Sequence, residues 1–303
     1  MNNRPLILVF GATGQQGGSV ATALIKAGWP VRVMVRNTLS EASVSLRDAG
    51  ADVVEGTFDD KDAMRAAMHG AYGVFSVQPS SPGGAVTDEE EVRYGKTIAE
   101  LSVECGIKHL VYSSGSAAGD EPTGLAHYET KALIERYIRT LPINSTIVRP
   151  APFMELLVMP GFGLDEKRFT FFMKREKQMQ VLAVEDIGKI VTAIYTDPER
   201  FKGKTFEIAS DVVTGQQLEE LFSMAAGQPV PYSRFTDEFL AANPFLQKLT
   251  ALVDDGRLAG NADLESMRQI NPELRSFKSW LEGPGRSEFE SSLGTSGKWA
   301  FNQ

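Results

Sequence analysis

Two kinds of segment alternate along the first half of the chain. The first is a short, mostly apolar run rich in β-branched and aromatic residues. It recurs as Ile7-Leu8-Val9-Phe10, then at Val31 to Arg36, Ala51 to Gly56, Tyr72 to Val77, Lys108 to Ser114 and Asn144 to Arg149. Runs of this length and character read as strands buried on both faces. The second kind is longer, with apolar residues gathered at helical spacing: Ser19 to about Ala27, Ser40 to Ala49, Asp62 to Met68, Asp88 to Glu104 and His127 to Arg139. Asp60 opens the third of these and Gly70 stops it. Strands alternating with helices over short connections predict right-handed βαβ units and a parallel sheet, with no internal repeat beyond that alternation.

The pattern breaks at Pro150 and Pro152. Residues from Phe153 to Phe172 are rich in Phe, Met and Leu without clean periodicity and are interrupted by Pro160-Gly161-Phe162-Gly163. Beyond them, Val181 to Val184 and Thr205 to Ala209 read as strands, and Asp186 reads as the cap of a helix from Ile187 to Tyr195. Thr214 caps a helix that runs to Ala226 and is closed by Gly227. Further helices are expected from Glu238, from Phe245, and around Phe277 to Leu281. The polar, Gly/Ser-rich end of the chain is expected to be poorly ordered.

The junction after the first strand carries the chemistry. Gly11, Gly14 and Gly17 are spaced G-x-x-G-x-x-G between a buried strand and a helix start. There the unpaired backbone N–H groups and the positive end of the helix dipole face any anion that sits in the turn. A β-carbon at such glycines would keep a pyrophosphate from the backbone and hold the helix off the strand. The expected fold is therefore α/β, a Rossmann doubly wound parallel sheet with a smaller mixed α/β C-terminal domain. Residues 1–152 form the dinucleotide domain, with about 181–209 adding to its sheet. Residues 153–283 form a substrate- or partner-binding region, and 284–303 a disordered tail. Gly11, Thr13, Gly14, Gln15, Gln16 and Gly17 make up the cradle.

Arg36 refines the ligand. Dinucleotide sites for the cofactor without a 2′-phosphate place a carboxylate at the end of the second strand, on the ribose hydroxyls. Here that place holds Arg36 followed by Asn37, and a guanidinium suits the 2′-phosphate of NADP. The competing reading is a solvated arginine at a strand end. Thr57 and Phe58, after the third strand, are placed to flank an adenine. The loop Gln78-Pro79-Ser80-Ser81-Pro82-Gly83-Gly84-Ala85 reads as a mobile connection leaving the carboxyl end of a parallel strand, where open α/β sheets bind ligands. The acidic run Asp88-Glu89-Glu90-Glu91 is read as charge complementing a helix N-terminus.

His127 and Lys131 stand four residues apart and share a helix face, with Tyr128 beside them. A lysine there can orient a nicotinamide ribose and lower the pKa of a neighbouring proton donor, and His127 can supply a proton near neutral pH. The competing reading is a helix that keeps both residues in water. Lys96 either reaches the cofactor phosphates or points to solvent. The cluster of Phe153, Met154, Leu156, Leu157 and Phe162 is core by composition. Its place after the last regular strand makes it the expected apolar wall over the nicotinamide.

Composition narrows the partners. The chain has 303 residues, 42% hydrophobic and 23% charged, the balance of a soluble globular protein. A formal net charge of −8 with no basic block argues against nucleic acid. The single cysteine, Cys105, excludes an internal disulfide and reads as a structural thiol in a reducing compartment. No apolar run is long enough to span a membrane, no signal-peptide pattern precedes the first strand, and no metal-ligand spacing is present. The expectation is a cytoplasmic protein.

FGATGQQGGSVA, VRVMVRN, GADVVEGTFDD, HYETKALIERYI, VEDIGKIV and the later RLAGNADLESMRQINPELRSFKSWL occur in the order characteristic of the NmrA-like group of atypical short-chain dehydrogenases/reductases. The chain resembles that family over nearly its whole length except the tail. The resemblance implies NADP(H) as cofactor, with Gly11 to Gly17 on the pyrophosphate, Arg36 on the 2′-phosphate and Lys131 on the nicotinamide ribose. It also places Gln78, Lys96, Pro152 and Phe153 along the cofactor. One departure stands out. Active short-chain dehydrogenases carry Tyr-x-x-x-Lys with the tyrosine as proton donor, whereas here His127 holds that place and Tyr128 is one residue out of register. Since the family contains both reductases and NADP-binding sensors, two readings stand. One is an NADPH-dependent reductase of a small apolar quinone-, enone- or dye-like substrate, with Lys131 and either His127 or water at the reacting end. The other is a non-catalytic NADPH/NADP redox sensor in which occupancy orders the Gln78 to Ala85 loop and changes the interface with a protein partner. A homodimer is compatible with either.

Overall fold

Ile7, Leu8 and Val9 are fully buried and form β1 (Ile7–Val9), the strand about which the sheet is wound. It pairs in parallel with β2 (Val31–Val35) on one side and β4 (Gly73–Ser76) on the other, with Ile7 opposite both Val31 and Gly73. The computed structural model describes residues 4–80, 84–119 and 121–295. Adding β3 (Asp52–Glu55), β5 (His109–Ser113), β6 (Ser145–Pro150) and β9 (Thr205–Ile208), the seven-stranded order is β3-β2-β1-β4-β5-β6-β9. The order reverses between β1 and β4, the topological switch point at which doubly wound sheets bind ligands outside their carboxyl ends. Helices α1 (Gln15–Lys26), α2 (Glu41–Asp48), α3 (Lys61–Met68), α4 (Asp88–Glu104) and α5 (Ala126–Thr140) connect successive strands. Leu8, Phe10, Val74, Ile98, Tyr112 and Ile134 meet in the core between the sheet and α3, α4 and α5.

The chain divides into two compact units. The first comprises the chain up to Asp120 together with Ala126–Arg149 and Val184–Phe206. It therefore takes back α6 (Val184–Thr196) and α7 (Pro198–Phe201) after a long excursion. In α6 the expected start is corrected. The helix begins at Val184 rather than after Asp186, and its first turns are tied to α1 by a contact far away in sequence. The Ser19 hydroxyl of α1 donates to the Val184 carbonyl at 2.7 Å and accepts from the Gly188 N–H at 3.1 Å. Asp186 is fully buried inside the first turn, 3.8 Å from Lys189.

The second unit comprises Glu121–Leu125, Pro150–Ala183 and the chain from Glu207 on. Its strands are short. β7 (Phe169–Phe171) pairs in parallel with β11 (Tyr232–Arg234), and β8 (Gln178–Val181) pairs antiparallel with β10 (Asp211–Thr214). Helix α8 (Gly215–Ala226) carries the expected Thr214 cap and Gly227 stop, the glycine at φ 64°. Five further helices follow: α9 (Asp237–Ala241), α10 (Pro244–Asp254), α11 (Leu264–Ile270), α12 (Phe277–Leu281) and α13 (Arg286–Gly294). The last lies where the polar composition predicts disorder. Phe289 is fully buried and stacks on Phe222 with ring centroids 5.5 Å apart, so an aromatic contact anchors the segment despite its polar composition. Residues 296–303, the rest of the expected disordered tail, lie outside the described residues.

Packing of α1 on α6 leaves no room at Gly188, where a β-carbon would stand 2.3 Å from the Ser19 carbonyl oxygen. Gly188→Ala is therefore expected to force the two helices apart and cost about 1–3 kcal/mol, read as a lower urea midpoint with an unchanged slope. An unchanged midpoint would refute the close approach.

Candidate functional site

The turn after β1 is built around two glycines that cannot be replaced. Gly11 has φ 67°, and a β-carbon on it would sit 2.7 Å from Val77 Cγ1, at the end of β4. A β-carbon on Gly17 would come 2.3 Å from the Gly11 carbonyl oxygen. The first turn of α1 therefore lies directly against the end of β1. Its first intrahelical bond runs from the Gly18 N–H to the Gly14 carbonyl, so the N–H groups of Gln15, Gln16 and Gly17 precede the ladder. The other early helices close this end with a side chain: Ser40 on α2, Asp60 on α3, and Thr87 with Glu90 in a capping box on α4. Helix α1 has Gly14 there, no capping side chain and no acid in its first turn. Thr13, Gly14 and Gln15 are exposed. A backbone cradle with an open positive end is what a pyrophosphate requires.

Gln16 turns inward, its Oε1 accepting from the Ser113 hydroxyl at 2.6 Å. That bond ties the glycine turn to the end of β5, a link across 97 positions that the sequence pattern does not reveal. Arg36 follows β2 at its carboxyl end, exposed and without an ion pair among the described residues. Thr57 is exposed as well. Phe58 is half-buried and packs its ring on Phe10 at 5.8 Å and on Tyr94 at 5.2 Å. It thus serves the core as much as any ligand. Lys96 is half-buried, with its Nζ 4.9 Å from the centre of the Tyr137 ring, across α4 and α5.

The loop that leaves β4 is anchored where it begins. Gln78 is buried and donates to the Ser76 hydroxyl at 2.6 Å. Ser80 is reached by Lys131 Nζ at 3.1 Å. Residues 81–83 of the expected mobile connection lie outside the described residues.

Lys131 is held chiefly by a residue that the sequence reading passes over. Its Nζ donates to Glu91 Oε1 at 2.6 Å, and the Glu91 side chain is only 1% exposed. The other Glu91 oxygen accepts from Thr130 Oγ1 at 3.1 Å and lies 3.4 Å from the Ser80 hydroxyl. Within the acidic run, then, Glu90 closes a capping box with Thr87, whereas Glu91 faces inward as the counter-ion of Lys131. A Glu at one position and a Lys at another on two helices predicted to flank the same strand was the only available signal.

His127 and Tyr128 lie beside this pair, their ring centroids 4.2 Å apart, and both are half-buried. A β-carbon at Gly115, after β5, would be 3.3 Å from the Tyr128 ring and 3.5 Å from Lys131 Cδ, so Tyr128 and Lys131 share that corner. Burial, reinforced by the Lys131 charge and opposed by Asp88, pushes His127 down to about 4. Burial pushes the Tyr128 phenol above its ordinary range. Both are neutral at pH 7. Desolvation thus disfavours the imidazolium, against the expectation that His127 delivers a proton near neutral pH.

Several other expected residues belong to the second unit. The Pro152 carbonyl accepts from the Leu182 N–H at 2.9 Å, and Phe153 bridges to Leu182. Phe153 and Leu156 are half-buried, but Met154, Leu157 and Phe162 are interior, with Phe162 packed 5.6 Å from Phe169. Most of the expected wall is thus core. Cys105 ends α4 half-buried with its thiol pushed up by burial, the state of an unreactive cysteine. Among the described residues, no group of three His, Cys, Asp or Glu could hold a metal ion, and no helix is long and apolar enough to cross a membrane.

Strand order, glycine turn and open helix start together define the doubly wound, dinucleotide-binding class of fold. The family description "NmrA-like family" matches residues 3–278, and the chain belongs to that family. It is 32% identical over 294 residues to the NmrA-like family domain-containing oxidoreductase lnaB of Aspergillus flavus, covering 89% of this chain and 87% of that protein. Among solved structures, NmrA, a negative transcriptional regulator in complex with NADP, superposes with a TM-score of 0.77 at 20% identity over 96% of this chain and 98% of that one. Triphenylmethane reductase of Citrobacter sp., complexed with NADP(H), gives a TM-score of 0.75 at 19% identity over 95% and 99%. These structural likenesses carry the fold.

The state of His127 has a sign that can be checked. Its folded pKa lies below its unfolded value of 6.5, so its burial stabilises the fold above that pH, and the stabilisation is lost as pH falls from about 6.5 to about 4. An NMR titration should show the His127 ring protonating near pH 4. Lys131→Met, which removes one depressing charge, should raise that midpoint. A wild-type midpoint near 6.5 would overturn the assignment.

Proposed function

We propose that this chain is an NADP(H)-dependent oxidoreductase acting on a small apolar acceptor of the quinone, enone or dye class. The observation that carries the reading is the cradle itself: two glycines whose β-carbons would strike backbone or strand, beside the uncapped start of α1. The cradle fits a pyrophosphate, and Arg36 at the carboxyl end of β2 offers a guanidinium where a 2′-phosphate would lie. Gly11 to Gly17 would hold the diphosphate, with Gln16 fixed by Ser113, and Lys131 would meet the nicotinamide ribose. When bound, NADPH supplies a hydride. The chain's own residues bind, orient and exclude water. Burial leaves His127 neutral at pH 7 and makes the Tyr128 phenol a weaker acid than usual, and Lys131 is engaged with Glu91, so no side chain of this corner is tuned to protonate an alkoxide. That favours acceptors whose reduced form needs no proton from the protein at the moment of transfer. The oxidoreductase names of the relatives and the NADP bound by the structural neighbours support the same reading.

The histidine in place of the Tyr-x-x-x-Lys tyrosine also favours a second reading, a sensor of NADPH/NADP that acts on a protein partner. It is supported by the tie between Ser80, in the loop after β4, and Lys131, and by a structural neighbour that is itself a transcriptional regulator.

Binding of NADPH and NADH can be measured on wild type and Arg36→Ala. Loss of a charge-assisted phosphate contact is worth about 1.5–3 kcal/mol, or roughly a ten- to hundredfold weaker Kd for NADPH, with NADH little changed. An unchanged NADPH affinity would show that Arg36 is not the phosphate ligand. Stopped-flow oxidation of bound NADPH by a panel of quinones, enones and dyes is expected to show turnover with at least one. Binding without oxidation across the panel would reject the reductase reading, and NADPH-dependent protection of the Gln78 to Ala85 loop from protease would then support the sensor.

A further inference from the structure

Lys131 has three N–H bonds. Glu91 takes one at 2.6 Å and Ser80 takes another at 3.1 Å. Only the third is left for a ligand, and its direction follows from the other two. Glu91 is in turn gripped from a second side, with Thr130 Oγ1 donating to its other oxygen at 3.1 Å. The carboxylate sits on the first turn of α4 and the lysine on α5, so the bond crosses between two helices that flank the sheet near its carboxyl end. With its side chain 1% exposed, Glu91 has no route to solvent for its charge, and Lys131, at 15%, has little. Neither ion is stable there without the other. A long flexible lysine left to itself would sample many rotamers, and a contact made through it would be correspondingly weak.

We propose that Glu91, with Ser80, is a positioning residue for the nicotinamide half of the cofactor: it fixes the Lys131 ammonium with one N–H free and aimed, so that the ribose hydroxyls are met by a preorganised donor. This rests on the reading of the chain as an NADP(H)-binding protein. The role is absent from the adenosine half, which is met by Arg36 and the glycine turn. Glu91 would therefore discriminate between the two ends of one ligand, which a residue needed only for folding would not do.

The test compares NADPH with 2′,5′-ADP, which carries the 2′-phosphate but no nicotinamide end, on the full-length chain by isothermal titration. Glu91→Gln is expected to weaken NADPH about tenfold and to leave 2′,5′-ADP within about twofold. Glu91→Asp should recover part of the loss, since it restores the charge but shortens the reach. Ser80→Ala, at a less buried position, should weaken NADPH by about threefold with the same selectivity. In a Lys131→Met background, Glu91→Gln should have no further effect on NADPH. If Glu91→Gln fails to fold, which loss of 2′,5′-ADP binding would report, Ser80→Ala and the Lys131→Met background carry the test. Equal weakening of both ligands by Ser80→Ala, or unchanged NADPH binding in both Glu91→Gln and Ser80→Ala, would overturn the proposal. Wild type that binds neither ligand would instead defeat the reading of the chain as NADP(H)-binding.

Discussion

The carboxyl edge of the sheet depends on one close contact, the backbone of Gly17 against the carbonyl of Gly11. With 2.3 Å between that oxygen and any β-carbon at position 17, the start of α1 can lie where it does only because the residue is glycine. The contact brings three N–H groups and the positive end of a helix to the end of β1. It is reinforced from two directions. Gln16 is tied to Ser113 on β5, and Ser19 is bound to both Val184 and Gly188 on α6. The glycine turn is therefore held by parts of the chain separated by up to 169 positions. Loosening any one of them would widen the cradle and weaken the field it presents, because helix-end electrostatics fall off within a turn.

A second constraint is electrostatic. Successive residues on a helix are rotated by about 100°. In α4 that rotation gives two neighbouring acids opposite fates. Glu90 reaches back to the Thr87 N–H and closes the helix, whereas Glu91 is carried round to the buried side and meets Lys131. Elsewhere in the same unit Glu135 is equally buried, but it is shared by Ser114, Arg139 and Arg149, a network that fixes the ends of α5, β5 and β6. Both carboxylates are compensated, and they differ in what compensates them. Glu135 is held by two guanidiniums and a hydroxyl, whereas Glu91 faces a single ammonium that retains a donor.

These two constraints were legible in the sequence to different degrees. Buried strands, the glycine turn and the arginine after β2 could be read because each is a local pattern: an apolar run, a glycine spacing, a charge at a fixed place. Glu91 could not, because one inward-facing acid in a row of four looks like a complement to the helix dipole. Ser113 and Ser19 could not, since their partners are 97 and up to 169 positions away. The same cause explains the misplaced start of α6. Asp186 has the residue type of a cap but lies inside the first turn, and the hydroxyl that bridges the Val184 carbonyl and the Gly188 N–H belongs to α1. In the second unit, three-residue strands such as β7 and β11 leave no periodicity to detect, and α13 is ordered by Phe289 docking on Phe222 in an otherwise polar stretch. Local composition describes such segments poorly, since their order is imposed by what they touch.

The Glu91–Lys131 pair also bears on the chemistry proposed for the site. In a dehydrogenase of the Tyr-x-x-x-Lys kind, the lysine's charge is available to a neighbouring phenol. Here the Lys131 charge is already countered by a buried carboxylate 2.6 Å away, and only its third N–H is left to meet a ligand. A developing alkoxide therefore gains less from Lys131 than it would from an unpaired ammonium, which is a cost in rate. His127 does not make up the difference, since burial keeps it neutral down to about pH 4. Tyr128 does not either, since burial holds its proton more tightly than usual. An acceptor that spreads the incoming charge over its own conjugated system, or that starts as a cation and ends neutral, avoids this cost. Such an acceptor asks the protein only to bind, orient and exclude water, which is what a neutral, tightly paired corner beside an anion cradle is built to do.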